Sequence, residues 1–106
     1  MRVLFDQGTP APLRHLLLGH EVETAYERSW STLKNGELLA SAEISGFDVL
    51  VTTDTNLKYQ QNLATRTIAI VVLGTTSWPR IKAAAEVVVA AVNSSARGSY
   101  AEVAVP

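Results

Sequence analysis

Three acids, Asp6, Glu37 and Asp54, hold the chemistry this chain has to offer. Asp6 closes the apolar run Arg2-Val3-Leu4-Phe5, and Asp54 closes Val49-Leu50-Val51-Thr52-Thr53. Glu37 lies between them at the start of a predicted helix. In open α/β sheets, ligands bind beyond the carboxyl ends of the strands, so neighbouring strands would bring Asp6 and Asp54 together there. Two carboxylates about 4 Å apart repel by roughly 4 kcal/mol at an effective dielectric near 20. A shared proton, a basic side chain or a divalent cation must offset that repulsion. Three carboxylates without a histidine or thiol beside them favour Mg2+ or Mn2+, hard cations that take oxygen ligands. Such ions activate water and neutralise phosphate in phosphodiester cleavage.

Each acid also has a plain structural role open to it. Asp54 can cap the segment that follows, and Glu37 favours a helix N-terminus. Beyond Asp54 lie Lys58, Tyr59, Gln60, Gln61 and Arg66, a basic and aromatic group suited to RNA phosphate and base stacking, or to a solvated loop face. Lys58 and Arg66 are the candidate RNA contacts. His15 and His20 are not spaced as a metal pair on one helix. They read as a solvent-facing residue and a turn residue. Trp78, followed by Pro79, reads as packing at the start of a helix, and Trp30 as an exposed contact or a core residue.

The elements that must position these residues alternate. Arg2–Asp6 is a short buried strand, and Pro12–Leu18 a helix with Pro at its start and Gly19 as C-cap. Glu21–Ala25 alternates polar and apolar residues as a half-buried strand does. Asn35 is the expected N-cap of a helix over Gly36–Ser45, ended by Gly46. Phe47–Thr53 and Thr67–Leu73 are apolar at nearly every position, as central parallel strands are. Asn56–Leu63 reads as a short helix or irregular loop. Pro79–Asn93 is too long and too alanine-rich for a strand and is assigned as one helix, despite Val87-Val88-Val89. Its apolar residues cover too much of the circumference for one sheet face to bury, which predicts a homodimer or a protein partner. Ser99–Val105 suits an edge strand. The expectation is a three-layer α/β sandwich with a mainly parallel sheet of order 2-1-3-4 and an edge strand at the C-terminus.

Composition sets the bounds. The 106 residues suit a single domain spanning 1–106. With 47% hydrophobic and 18% charged residues, the chain reads as globular. A net charge of -1 gives no global basic field, so phosphate must be met by a local patch or a metal. The absence of cysteine excludes disulfides, zinc-thiolate sites and thiol catalysis. No apolar run reaches the ~20 residues of a membrane span, and the opening lacks the apolar core of a signal peptide. A cytoplasmic location without membrane association is therefore expected.

Four segments in order carry a family resemblance. Val3-Leu4-Phe5-Asp6-Gln7-Gly8-Thr9-Pro10, with Leu13, Leu16 and Leu17, leads into Gly19-His20-Glu21-Val22. Asn35-Gly36-Glu37-Leu38-Leu39-Ala40 and Gly46-Phe47-Asp48-Val49-Leu50-Val51-Thr52-Thr53-Asp54 follow. Over roughly the first two-thirds of the chain this resembles the short PIN-like domains. The resemblance implies a PIN-like α/β fold with Asp6, Glu37 and Asp54 as metal-binding acids of a Mg2+- or Mn2+-dependent ribonuclease. It also implies kinship with toxins of toxin–antitoxin pairs, with single-stranded RNA and an antitoxin as partners. Gln7 stands where the family usually has an acid, and Leu57 where an aromatic often follows the last Asp. Gln7 and the lack of a fourth acid after Asp54, where Asn56 is the nearest substitute, favour the alternative of a non-enzymatic PIN-like binding module. A phospho-receiver-like domain ranks last, because neither a second acid beside Asp6 nor a lysine ending a later strand is present.

Overall fold

Strand polarity organises the molecule. The computed structural model describes residues 1–106. Five strands, β1 (Arg2–Phe5), β2 (Glu21–Thr24), β3 (Val49–Thr52), β4 (Ala69–Leu73) and β5 (Tyr100–Val103), form one sheet of order β2-β1-β3-β4-β5. Every pairing is parallel, with Phe5 opposite Val51, Val51 opposite Val71 and Val71 opposite Ala101. All strands therefore start at one end of the sheet and finish at the other. Parallel neighbours need crossovers, and helices supply them: α1 (Asn35–Ile44), α2 (Leu57–Gln60), α3 (Trp78–Ala83) and α4 (Ala85–Asn93), with a 3₁₀ helix at Ala11–Leu16 after β1.

The two-residue period of the strands splits the core in two. Val3, Phe5, Val49, Val51, Val71 and Leu73 face one side and pack with Leu13, Leu17, Ile81, Val88 and Val92. Leu4, Leu50, Ile70 and Val72 face the other side and meet Leu38, Leu39, Ala42, Phe47 and Leu57. Burying both faces explains why β4 is apolar throughout and β3 is apolar up to Thr52, and each such Leu, Ile or Phe contributes about 1.5–3 kcal/mol. The result is the expected three-layer α/β sandwich, with β5 at one edge.

Three local expectations change. Residues 11–16 form a 3₁₀ helix rather than an α-helix over Pro12–Leu18. Its bonds run to the third residue back (Leu13 N–H to Pro10, Leu17 N–H to Arg14). The N-cap of α1 is Lys34, and Asn35 is the first helical residue. The helix over Pro79–Asn93 is broken at Ala84, whose φ of -100° and ψ of 20° leave the helical region. The break falls just before the β-branched run Val87-Val88-Val89, where helix propensity drops. Ile81, Val88 and Val92 bury their side chains against the sheet, while Val87 stays 55% exposed. No helix is long and apolar enough to cross a membrane.

Candidate carboxylate site

The chain leaves β1, crosses to β2 on one side and returns to β3 on the other side of β1. The crevice beyond β1 and β3 is thus the switch point where open α/β sheets bind ligands. Asp6 follows β1 directly, and Asp54 follows β3 by two residues. The sequence expectation that both acids stand at this rim holds.

Neutral donors hold both carboxylates. The Thr9 backbone N–H donates to Asp6 Oδ1 at 3.1 Å. The buried Thr9 hydroxyl sits 2.6 Å from the same oxygen and 2.9 Å from the Val51 carbonyl, sharing its one proton between them. The buried Thr52 hydroxyl donates to Asp6 Oδ2 and accepts the Asp54 backbone N–H at 3.1 Å. Thr52 therefore joins the Asp6 carboxylate to the Asp54 backbone through one hydroxyl. Asp54 Oδ1 accepts the Asn56 backbone N–H at 2.9 Å, and Oδ2 accepts Asn35 Nδ2 at 2.7 Å. Gly8 lets the turn after β1 approach this rim, because a Cβ there would collide with the Thr53 hydroxyl. Every ion pair of the molecule lies elsewhere, so Asp6 and Asp54 have no cationic partner.

Glu37 does not join them. Its Oε1 accepts the Lys34 backbone N–H at 3.1 Å, which occupies the side chain at the helix start. No three His, Asp or Glu side chains gather into a group that would hold a metal ion. The shell of Asp6, Glu37 and Asp54 expected from the sequence is thus reduced to a pair. That pair remains a hard-oxygen donor set. It suits a cation such as Mg2+, which commonly binds through one or two carboxylates and keeps several waters.

The two candidate RNA contacts separate. Lys58, in α2, stands on the carboxylate rim. A cleft of about 490 Å³ opens beside it, lined by Asn56, Lys58, Tyr59, Gly74, Glu102 and neighbouring residues. Lys58 Nζ pairs with Glu102 Oε1 at 2.6 Å and lies 5.2 Å from the Tyr59 ring centroid. The Glu102 carboxylate raises the Lys58 pKa. Burial, and then the hydrogen bond to Glu102, push the Tyr100 hydroxyl up to about 12. Tyr59 is 78% exposed. Arg66 precedes β4 and so lies at the opposite, amino-terminal end of the sheet, bound to Glu43 Oε1 at 2.8 Å. It is not part of the carboxylate rim.

The remaining candidates are structural. His20 Nε2 is 2.6 Å from Asn93 Oδ1, and its Nδ1 is 3.2 Å from the terminal amine, so it ties β2 to α4. His15 is exposed. Trp30 meets Phe47 edge-on at 6.1 Å with Arg28 stacked over it, and Trp78 packs against the core. Thr9 and Asn35 are the site residues that sequence reasoning missed. Thr9 had a visible signal, since a threonine three residues after an Asp is a turn-forming pattern. Asn35 had none.

No protein-family model, curated protein or solved structure matches this chain. The chemistry of the site has to be argued from its own atoms. They are two carboxylates at one rim, neither in an ion pair, next to a cleft with one lysine and one exposed tyrosine.

Proposed function

We propose that the chain is a PIN-like domain acting as a Mg2+- or Mn2+-dependent ribonuclease, with Asp6 and Asp54 holding the cation. The observation that carries this reading is the pair's position: two carboxylates at the switch point, oriented by neutral donors and facing no positive charge. A divalent ion bound there supplies water activation and phosphate neutralisation. The chain's own residues do the rest. Thr9 and Thr52 fix the Asp6 carboxylate, and the Asn56 backbone N–H fixes that of Asp54. Lys58 meets a phosphate of single-stranded RNA, and Tyr59 offers a face for a base. Exposed Val87 and Ala90 are the surface by which this reading accommodates a second copy of the chain or an antitoxin.

The alternative is a PIN-like binding module without turnover. Gln7 and the engagement of Glu37 with the Lys34 backbone favour it. A labelled single-stranded RNA panel separates the two. The nuclease reading expects cleavage with Mg2+ or Mn2+, none with EDTA, and a loss of several orders of magnitude in Asp54→Asn. Cleavage that survives both EDTA and Asp54→Asn refutes it. Binding without cleavage under every metal condition selects the module.

A further inference from the structure

We propose that α1 serves the site through Asn35 and not through Glu37. Asn35 is a positioning residue for Asp54, an inference that deepens the carboxylate-pair reading above and rests on it. The carboxamide of Asn35 has two N–H protons and uses both. One goes to Asp54 Oδ2 at 2.7 Å, the other to Gln60 Oε1 at 3.1 Å. One side chain therefore ties the first residue of α1 to the end of the β3 loop and to α2. The approach is close. A Cβ on Gly36 would lie 3.0 Å from Gln61 Oε1, so the side chain after α2 reaches the start of α1.

The consequence for Asp54 is orientation without neutralisation. Asn35 and the Asn56 backbone hold one lone pair on each oxygen, and an ionised carboxylate has about four acceptor positions in all. The remaining lone pairs stay available to a ligand in a fixed plane. A hydrogen bond to an ionised acceptor is roughly twice as strong as a neutral one, so this donor constrains the rotamer well. It adds no positive charge that would compete with a cation. Glu37, two residues on, points to the Lys34 backbone instead.

Thermal melts of the full chain, in EDTA and in millimolar Mn2+, test this with Asn35→Ala, Asn35→Asp, Glu37→Gln and Asp54→Ala. In EDTA, Asn35→Ala is expected to lower Tm in the wild-type background and far less on top of Asp54→Ala, where its acceptor is already gone. Glu37→Gln keeps the cap, since glutamine also serves at that position, and removes only the charge. It should leave Tm and the Mn2+-induced rise unchanged. Asn35→Ala should lose most of that rise, and Asn35→Asp should enlarge it by placing a third carboxylate against Asp54. Additive Tm losses for Asn35→Ala and Asp54→Ala overturn the proposal, as does a Mn2+ response lost in Glu37→Gln but kept in Asn35→Ala. If the wild type shows no Mn2+ rise, the metal reading falls. The double-mutant comparison in EDTA then still decides the Asn35–Asp54 link by itself.

Discussion

Glu43 and the pair Asp6–Asp54 sit at opposite ends of the same parallel sheet, and their surroundings differ in kind. Glu43 gives Oε1 to the Arg66 guanidinium at 2.8 Å. Its Oε2 accepts the Thr67 N–H at 2.7 Å and the Thr67 hydroxyl at 2.9 Å. Burial alone would raise its pKa, but Arg66 and then the Thr67 donors outweigh it, and the carboxyl is held below the usual carboxylate range. Both the charge and the lone pairs of Glu43 are used up in joining α1 to the start of β4. Asp6 and Asp54 receive only hydroxyl, amide and backbone donors. A charge matched by a guanidinium is structural, whereas a charge merely oriented is still free to bind. On that ground the proposed function belongs to the carboxyl rim and not to the amino end.

The largest effect that would break the comparison is on stability. Glu43→Ala removes the partner of a mostly buried arginine together with the acceptor for Thr67, and should cost about 2 kcal/mol. Urea unfolding at neutral pH reads it. Asp6→Asn keeps an acceptor oxygen for Thr9, takes one from the Thr52 hydroxyl and leaves no cation unpaired, so in EDTA it should cost less than Glu43→Ala, about 1 kcal/mol. If Asp6→Asn instead costs as much as Glu43→Ala, Asp6 is a structural acid and the contrast between the two ends disappears.

A smaller effect concerns pH. The folded pKa of Glu43 lies below its unfolded value. Its contribution is therefore complete above the unfolded pKa and is lost as pH falls through the folded one. Melts taken downward through the carboxylate range should show a steep loss in the wild type and a shallower one in Glu43→Gln, which starts from a lower Tm. Glu27, lowered to about 2 first by the Arg14 hydrogen bond, is a more exposed partner and should add little that survives moderate salt. Equal slopes in wild type and Glu43→Gln would show that the amino-end clamp does not couple to folding.

The frame was readable in the sequence for a physical reason. Strands buried on both faces are apolar at nearly every position, so Val49–Thr52 and Ala69–Leu73 announced themselves, and with them the ends where Asp6 and Asp54 fall. Side-chain direction was not readable. Glu37 occupies a ligand-like place in the chain, yet its carboxylate turns back to Lys34. Asn35 reaches Asp54, 19 positions further along the chain. Neither choice leaves a trace in periodicity. Arg66 is a different case, because its distance from the rim was deducible. In an all-parallel sheet the residues before a strand lie opposite those after one, so Arg66, preceding β4, had to leave the Asp54 end. The helix break at Ala84 was half visible in the valine run that follows it.

The smallest expected effect separates the two basic residues. Lys58 stands beside the carboxylate rim and can neutralise at most one phosphate, so Lys58→Ala should weaken single-stranded RNA binding modestly. It should also reduce the slope of log affinity against log salt by roughly 0.7. The effect is small because Glu102, at 2.6 Å, already offsets much of the lysine's charge. Glu102→Gln should accordingly strengthen RNA binding. Arg66→Ala should leave both affinity and salt slope unchanged and lower stability instead, since its guanidinium is committed to Glu43 at the far end. Fluorescence anisotropy across a salt series, paired with urea melts, reads both quantities on the same proteins. If Arg66→Ala flattens the salt slope as much as Lys58→Ala does, RNA runs over the amino end as well, and the assignment of function to the carboxyl rim alone is wrong.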